Sequence, residues 1–374
     1  MRTLAVALLL SFTLAARASE PAPPAVDARA WLLADMTSGQ LLASSQAEER
    51  IEPASLTKLM TAYVVFGALR EEKLRLAQAV RVSEQMRTAP GSRMFIQPGL
   101  PVTVEQLLRG LIVQSGNDAG LALVDATSGA QADFVERMNR EAARLGMTNT
   151  HFANPTGLPD PHHYSTAHDL YRLAAALIRD FPEYYERYFA LKEFSYNHIT
   201  QPNRNRLLWL DPSVDGVKTG HTESAGYCLI ASSKRGTRRL VSVLLGARSD
   251  EARARESQRL LNWGFQNFDD VKLYDDGLAV KQIEVWKGSS SSVKTGFPGG
   301  LVVSVPKGRA DKLAAELAFD SALIAPVAAG QRVGTLRLKL EGEPFGEYPL
   351  VALEAVGPGG FFGRAWDTLR LWLR

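Results

Sequence analysis

Hydrophobic spacing along the chain changes from a period of two to helical spacing and back, and these changes divide the sequence into elements. Residues 30–44 alternate on either side of the polar Thr37-Ser38-Gly39, the pattern of a β-hairpin. From Pro53 to about Leu69, Leu56, Leu59, Met60, Tyr63 and Val64 recur at i, i+3, i+4, i+7 and i+8. The opposite side is almost as apolar, so this helix is expected to be buried all round. Thr103-Val104-Glu105-Gln106 has the form of a capping box, with Val104, Leu107, Leu108, Leu111 and Ile112 on one helical face behind it. A helix over about Asp118–Thr127 and others to about Arg179 follow. Residues 216–247 then read as three strands, and Ser249 to Phe268 as a helix with Leu260, Leu261 and Trp263 inward. From Val271 to Val356 the pattern is short alternating strands broken by Gly/Ser, Pro-Gly-Gly and Lys-Gly turns.

Strands at both ends of a helical stretch predict one α/β domain, then a small all-β domain. The expected division is 1–18, 19–268, 269–356 and 357–374. The first segment reads as a signal peptide: Arg2, an apolar run from Leu4 to Leu14, and Ala16-Arg17-Ala18 as the cleavage site. No cysteine stands there to carry a lipid. The last segment reads as an amphipathic helix behind a Gly357-Pro358-Gly359-Gly360 hinge that is expected to detach it. Phe361, Phe362, Ala365, Trp366, Leu369, Trp372 and Leu373 share one arc, and Arg364, Asp367, Arg370 and Arg374 the other, with Leu371 on the polar side. Fourteen residues are too few to span a bilayer, so the segment is expected to lie on a membrane surface.

Composition narrows the choice of function. The net charge of +3, from 43 basic and 40 acidic residues among 374, is too small an excess for a nucleic-acid binder. A single cysteine, Cys228, excludes an intrachain disulfide and a cysteine-based zinc site. His162, His163 and His168 with Asp160 and Asp169 could be drawn as a zinc set, but no H-E-x-x-H pattern exists. No metal or other cofactor is expected.

Three short clusters carry candidate chemistry. In Ser55-Leu56-Thr57-Lys58, a helix places residues i and i+3 on one face, so Lys58 can reach the Ser55 hydroxyl as its base. Burial lowers a lysine's pKa and makes the neutral amine accessible. Ser115-Gly116-Asn117 stands in a break between helices, where Ser115 alone would read as an N-cap. Lys218-Thr219-Gly220 ends a strand; it offers a cation, a hydroxyl and a glycine that lets substrate backbone approach. Each pattern also occurs elsewhere, as Ser291-x-x-Lys294, Ser304-x-x-Lys307, Ser195-Tyr196-Asn197 and Lys294-Thr295-Gly296. The full set occurs once in this order with a helix, a loop and a strand as settings.

With these motifs the chain resembles the low-molecular-mass penicillin-binding proteins, the serine-type D-alanyl-D-alanine carboxypeptidases. The likeness extends to Ile112-Val113-Gln114, Asn203-Arg204-Asn205, Leu207-Leu208-Trp209, Val214-Asp215-Gly216-Val217, His221-Thr222, Leu260 to Phe265 and Phe361 to Arg364. Arg206 departs from it, where the family commonly has glycine, and is expected on the surface.

The resemblance implies a penicillin-binding, β-lactamase-like domain with an antiparallel sheet and a helical cluster, followed by a β-rich domain. It implies attack by Ser55 on the penultimate D-alanine of a peptidoglycan stem peptide, with Lys58 as base and Ser115 and Lys218 relaying a proton. Asn117 would hold the substrate amide, the backbone N–H groups of Ser55 and His221 would form the oxyanion hole, and Gly220 would give access to it. Arg253, helped by Thr219 and in second line by Arg204, would bind the terminal carboxylate. β-Lactams would acylate the same serine, and the enzyme would work in the periplasm on the outer face of the cytoplasmic membrane. A D,D-endopeptidase or a non-catalytic envelope-binding protein on this fold are the alternatives; monomer and homodimer are both open. A class A β-lactamase would deacylate with a glutamate, and none of Glu136, Glu141, Glu183, Glu186 or Glu193 is expected to play that part.

Overall fold

The computed structural model describes residues 21–319 and 322–372. The signal-peptide reading, and the last residues Leu373 and Arg374, lie outside them.

A five-stranded antiparallel sheet organises the first part of the chain, in the order Leu41–Ser45, Ala30–Asp35, Arg238–Ala247, Gly226–Arg235, Val214–Thr222. Its central strands are apolar on both faces because both are covered. Ala30, Leu32 and Ala34 join Val241, Val243 and Leu245 in the core beneath the helices, while Trp31 and Leu33 pack with Leu240, Leu244, Leu260 and Leu261. The period of two sorts one strand into two cores. On the first face lie Lys58–Arg70, Val104–Arg109, Asn117–Ser128, Gln131–Arg144 and Ala167–Asp180; on the second lies Asp250–Asn267. Lys58–Arg70 is buried at every position except Arg70, as its two-sided apolar pattern demands. The capping box forms as read: Thr103 accepts from the Gln106 amide, and the Gln106 side chain accepts from the Thr103 amide.

The second part is all β. Phe268–Tyr274 pairs with Leu301–Pro306, and a six-stranded sheet runs Leu313–Phe319, Arg332–Leu340, Glu343–Ala352, Ser292–Gly296, Ala279–Trp286, Leu323–Ile324. Polar groups tie the two parts together. Arg238 binds Asp35 at 2.6 Å and Asp270 at 3.1 Å, and Ser304 Oγ contacts both Asp270 Oδ1 (2.9 Å) and Ser38 Oγ (2.8 Å). Ser304 is thereby committed to the junction.

Phe361–Trp372 is helical, and Phe361, Phe362, Trp366, Leu369 and Trp372 are all exposed. The Gly357-Pro358-Gly359-Gly360 segment is not a free hinge. Ser289 N–H donates to Gly357 O (2.8 Å), Gly359 N–H to Lys287 O (2.7 Å), and Lys287 N–H to the Asp367 carboxylate (2.7 Å). Gly359 is needed because a Cβ there would stand 2.6 Å from Gly288 O. The polar side of the helix therefore meets the β domain, and the apolar side faces away.

Candidate active site

Ser55 does not lie in an α-helix. Residues Ala54–Thr57 form a 3-10 turn, and the α-helix begins at Lys58. The tighter turn eclipses i and i+3, which improves the alignment of the pair. Lys58 Nζ donates to Ser55 Oγ at 2.9 Å and to Thr156 O at 2.6 Å. At 1% exposure it is almost wholly out of water, and this burial, with the nearby Arg204 cation, lowers its pKa to about 7 against a weaker opposing pull from Asp118. The amine is thus substantially neutral near physiological pH.

Thr156 belongs to a loop that the sequence reading passed over. Asn154 Oδ1 accepts from the amides of Thr156, Gly157 and Leu158 at 3.1, 2.8 and 3.2 Å, an Asx-type turn. Gly157 has φ +82° and packs so closely on the Ser55 turn that a Cβ would fall 1.8 Å from Ala54 O. The signal was present as Asn154-Pro155-Thr156-Gly157, which spells a turn but not its destination.

Ser115 sits after a π-helical turn, Gly110–Gln114, with φ +65°, the left-handed region that a serine seldom occupies. The N-cap alternative is not realised, since Gly116 occupies the cap position and no side chain caps the helix. Ser115 Oγ is buried with no protein partner, as is Asn117 Oδ1, whereas Asn117 Nδ2 donates to Pro90 O at 2.6 Å. Asp118, which the sequence reading also missed, is fully buried and accepts from the amides of Met94, Phe95 and Ile96 at 3.0, 2.8 and 3.2 Å. It fastens the 94–96 segment to the Ser115–Asn117 break; an acid at the start of a helix was its only mark in the sequence.

Lys218 is also buried; its Nζ donates to Thr219 O at 3.1 Å. Burial, and then the nearby Lys58, Arg204 and Arg253, hold its pKa well below the usual lysine range. Gly220 lets the strand lie against the Ser55 turn, with Pro53 O 3.1 Å from where its Cβ would be. Arg253 is 5% exposed, donates to Gly220 O at 3.1 Å, pairs with Asp250 and lies over the Tyr227 ring at 5.5 Å. The His221 ring packs on Tyr227 with centroids 4.1 Å apart.

These groups meet at one open cleft of about 730 Å³. Ser55, Ser115, Arg204, Thr219, Gly220, His221 and Arg253 line it together with Ser92, Gln114, Tyr227 and Asp250. Lys58, Asn117 and Lys218 are not among its lining residues, and both lysines are almost fully enclosed.

The repeated motifs go elsewhere. Ser291 and Lys294 are exposed in the β domain, and Ser195-Tyr196-Asn197 ends one arm of the hairpin Glu193–Tyr196/Ile199–Pro202. Glu193, four residues before Asn197, has the spacing of a deacylating glutamate but is exposed on that hairpin and does not line the cleft. His163 Nδ1 accepts from the Ala153 amide at 3.1 Å, so its Nε2–H donates to Thr57 Oγ1 at 2.7 Å. Burial pushes its pKa down to about 4, which makes it a neutral support behind the Ser55 turn.

Residues 16–249 match the family model described as D-alanyl-D-alanine carboxypeptidase, and 268–358 match that of the penicillin-binding protein 5 C-terminal domain. The D-alanyl-D-alanine carboxypeptidase DacC of Escherichia coli is 45% identical over 357 residues, 93% of this chain and 89% of that protein. Penicillin-binding protein 5 of Haemophilus influenzae superposes with a TM-score of 0.85 at 39% identity, covering 90% of this chain and 99% of that one. Penicillin-binding protein D2 of Listeria monocytogenes, solved in an ampicillin-bound form, does so at 0.60 and 29%, covering 65% and 99%.

Proposed function

The chain belongs to the serine D-alanyl-D-alanine carboxypeptidases, and on that footing we propose how its residues divide the reaction. Ser55 Oγ attacks the carbonyl carbon of the penultimate D-alanine and gives its proton to the neutral Lys58 amine. The oxyanion is held by the Ser55 and His221 backbone N–H groups. As the peptide bond breaks, Ser115 and Lys218 deliver a proton to the leaving amine, and free D-alanine departs. Water then hydrolyses the Ser55 ester. Asn117 accepts from the substrate amide through its unpartnered Oδ1, and Arg253, with Thr219 and Arg204, binds the terminal carboxylate. A β-lactam follows the same path as far as the acyl-enzyme.

The observation that carries this reading is the buried Lys58 amine 2.9 Å from Ser55 Oγ, with an unpartnered Ser115 hydroxyl in a residue that lines the same cleft as Ser55. Incubation with a pentapeptide ending in D-Ala-D-Ala should release one alanine by mass, and a fluorescent penicillin should label the protein covalently. Absence of both reactions favours the envelope-binding alternative. Because the base acts deprotonated and its pKa is lowered to about 7, acylation should rise with pH through a midpoint near 7 rather than near that of an ordinary lysine. A penicillin acylation rate that is flat between about pH 6 and 9 would remove Lys58 from the role of base.

Residues 1–18 are proposed as a signal peptide, 19–268 as the catalytic domain, 269–356 as the β domain and 357–374 as the anchor of a periplasmic enzyme. No helix among the described residues is long and apolar enough to cross a membrane. The outward apolar side of Phe361–Trp372 fits attachment to the bilayer surface, with its tryptophans at the boundary and arginines near anionic headgroups. Deletion from Gly360 onward should move the protein from the membrane to the soluble fraction and leave hydrolysis of small peptides intact. A truncated protein that sediments with membranes after a salt wash contradicts the anchor.

A further inference from the structure

The helix Asp250–Asn267 presents an electrostatic conflict at the cleft. Its first turn carries Asp250 and Glu251, as a helix N-terminus favours. The same turn carries Arg253, the proposed receptor for the substrate carboxylate. Asp250 both lines the cleft and binds Arg253 through Oδ1. An arriving carboxylate therefore meets a fixed carboxylate of like charge next to its own partner.

Arg206 stands on the far side of that carboxylate. Its Nη1 lies 2.6 Å from Glu251 Oε1 and 3.5 Å from Asp250 Oδ2, the oxygen that Arg253 leaves free. It comes from a separate element, the turn before Leu207–Leu210, and Asn205 fixes that turn by accepting from the Leu207 amide at 3.2 Å and donating to Gly216 O at 3.0 Å. The surface position expected for Arg206 is correct, but it is at the mouth of the cleft. Arg206 thus pairs with both acids of the first turn, while Arg253 pairs with Asp250 alone; without Arg206, the second Asp250 oxygen and Glu251 lose their cation at the mouth of the cleft.

We propose that Arg206 is a positioning residue for carboxylate recognition, acting through Asp250: it balances the acidic first turn so that Arg253 attracts the substrate's terminal carboxylate. This rests on the reading of Arg253 as the receptor. Since the Arg206 side chain is about half exposed, the effect should be of surface ion-pair size rather than that of a buried pair.

The test uses the full-length enzyme and a D-Ala-D-Ala peptide. Arg206→Gln should raise KM about three-fold, with a much smaller change in kcat, and Arg206→Lys should restore most of the loss. The rise should shrink at high salt. Asp250→Asn keeps an oxygen acceptor for Arg253 and removes the charge, so the double variant Arg206→Gln/Asp250→Asn should return KM towards that of the parent. An unchanged KM in Arg206→Gln, or an equal rise in the Asp250→Asn background, overturns the proposal. So does an equal rise with the matching C-terminal amide peptide. Failure of Arg253→Ala to distinguish acid from amide would instead overturn the receptor reading, whatever Arg206 does.

Discussion

Ser55→Ala and Lys58→Ala should each abolish both peptide hydrolysis and penicillin labelling while the fold remains intact. Ser55→Ala removes the atom that forms the ester, so no slower version of the acylation exists. Lys58→Ala removes the only amine within hydrogen-bond reach of Ser55 Oγ among the described residues, and a serine without a base is a weak nucleophile. The two losses should be non-additive, because the pair acts as one unit. Intact-mass measurement after incubation with penicillin is the direct check: an adduct on Ser55→Ala would place the nucleophile elsewhere. Lys58 also donates to Thr156 O, so a melting curve should accompany the lysine variant. Lys58→Met, which keeps the buried stem without the amine, separates lost chemistry from lost packing. Ser291→Ala should leave activity unchanged, since Ser291 is exposed in the β domain.

Arg253→Ala should cost far more with a free D-Ala-D-Ala terminus than with a substrate lacking that carboxylate. A charge-assisted hydrogen bond contributes about 1.5–3 kcal/mol, which corresponds to a discrimination of roughly ten- to a hundred-fold in kcat/KM. Arg253 is 5% exposed, so the charge acts where water screens it little. Its contact with Gly220 O adds a structural duty towards the Lys218-Thr219-Gly220 strand. Damage to that strand would lower activity equally on both substrates; loss of carboxylate recognition would not. Equal losses would therefore assign Arg253 to the scaffold.

Much of this was legible in the sequence wherever the determinant is local. The capping box at Thr103–Gln106 formed as read because both of its bonds join residues three apart. The exposed apolar side of the C-terminal helix followed from spacing alone. Reading Ser55 as α-helical failed because a 3-10 turn and an α-helix share almost the same apolar pattern over four residues. The free hinge failed for another reason: Gly357 and Gly359 pair with a strand turn some seventy residues earlier, and no periodicity near a glycine indicates a distant partner.

What the sequence determined by itself was the set of elements and the order of the three motifs, since propensity, capping and periodicity act between neighbours. Only the tertiary structure decided which serines and lysines come together and leave water. The repeated motifs carry the same letters, but only Lys58 and Lys218 are buried, and both have their pKa lowered chiefly by that burial. Thr156 O meets Lys58 from 98 residues away, Asp118 ties the second motif to the 94–96 segment, and Asp250 meets Arg206 from a separate element. A pKa is a property of the surrounding dielectric and charges, and these exist only once the chain has closed around the group.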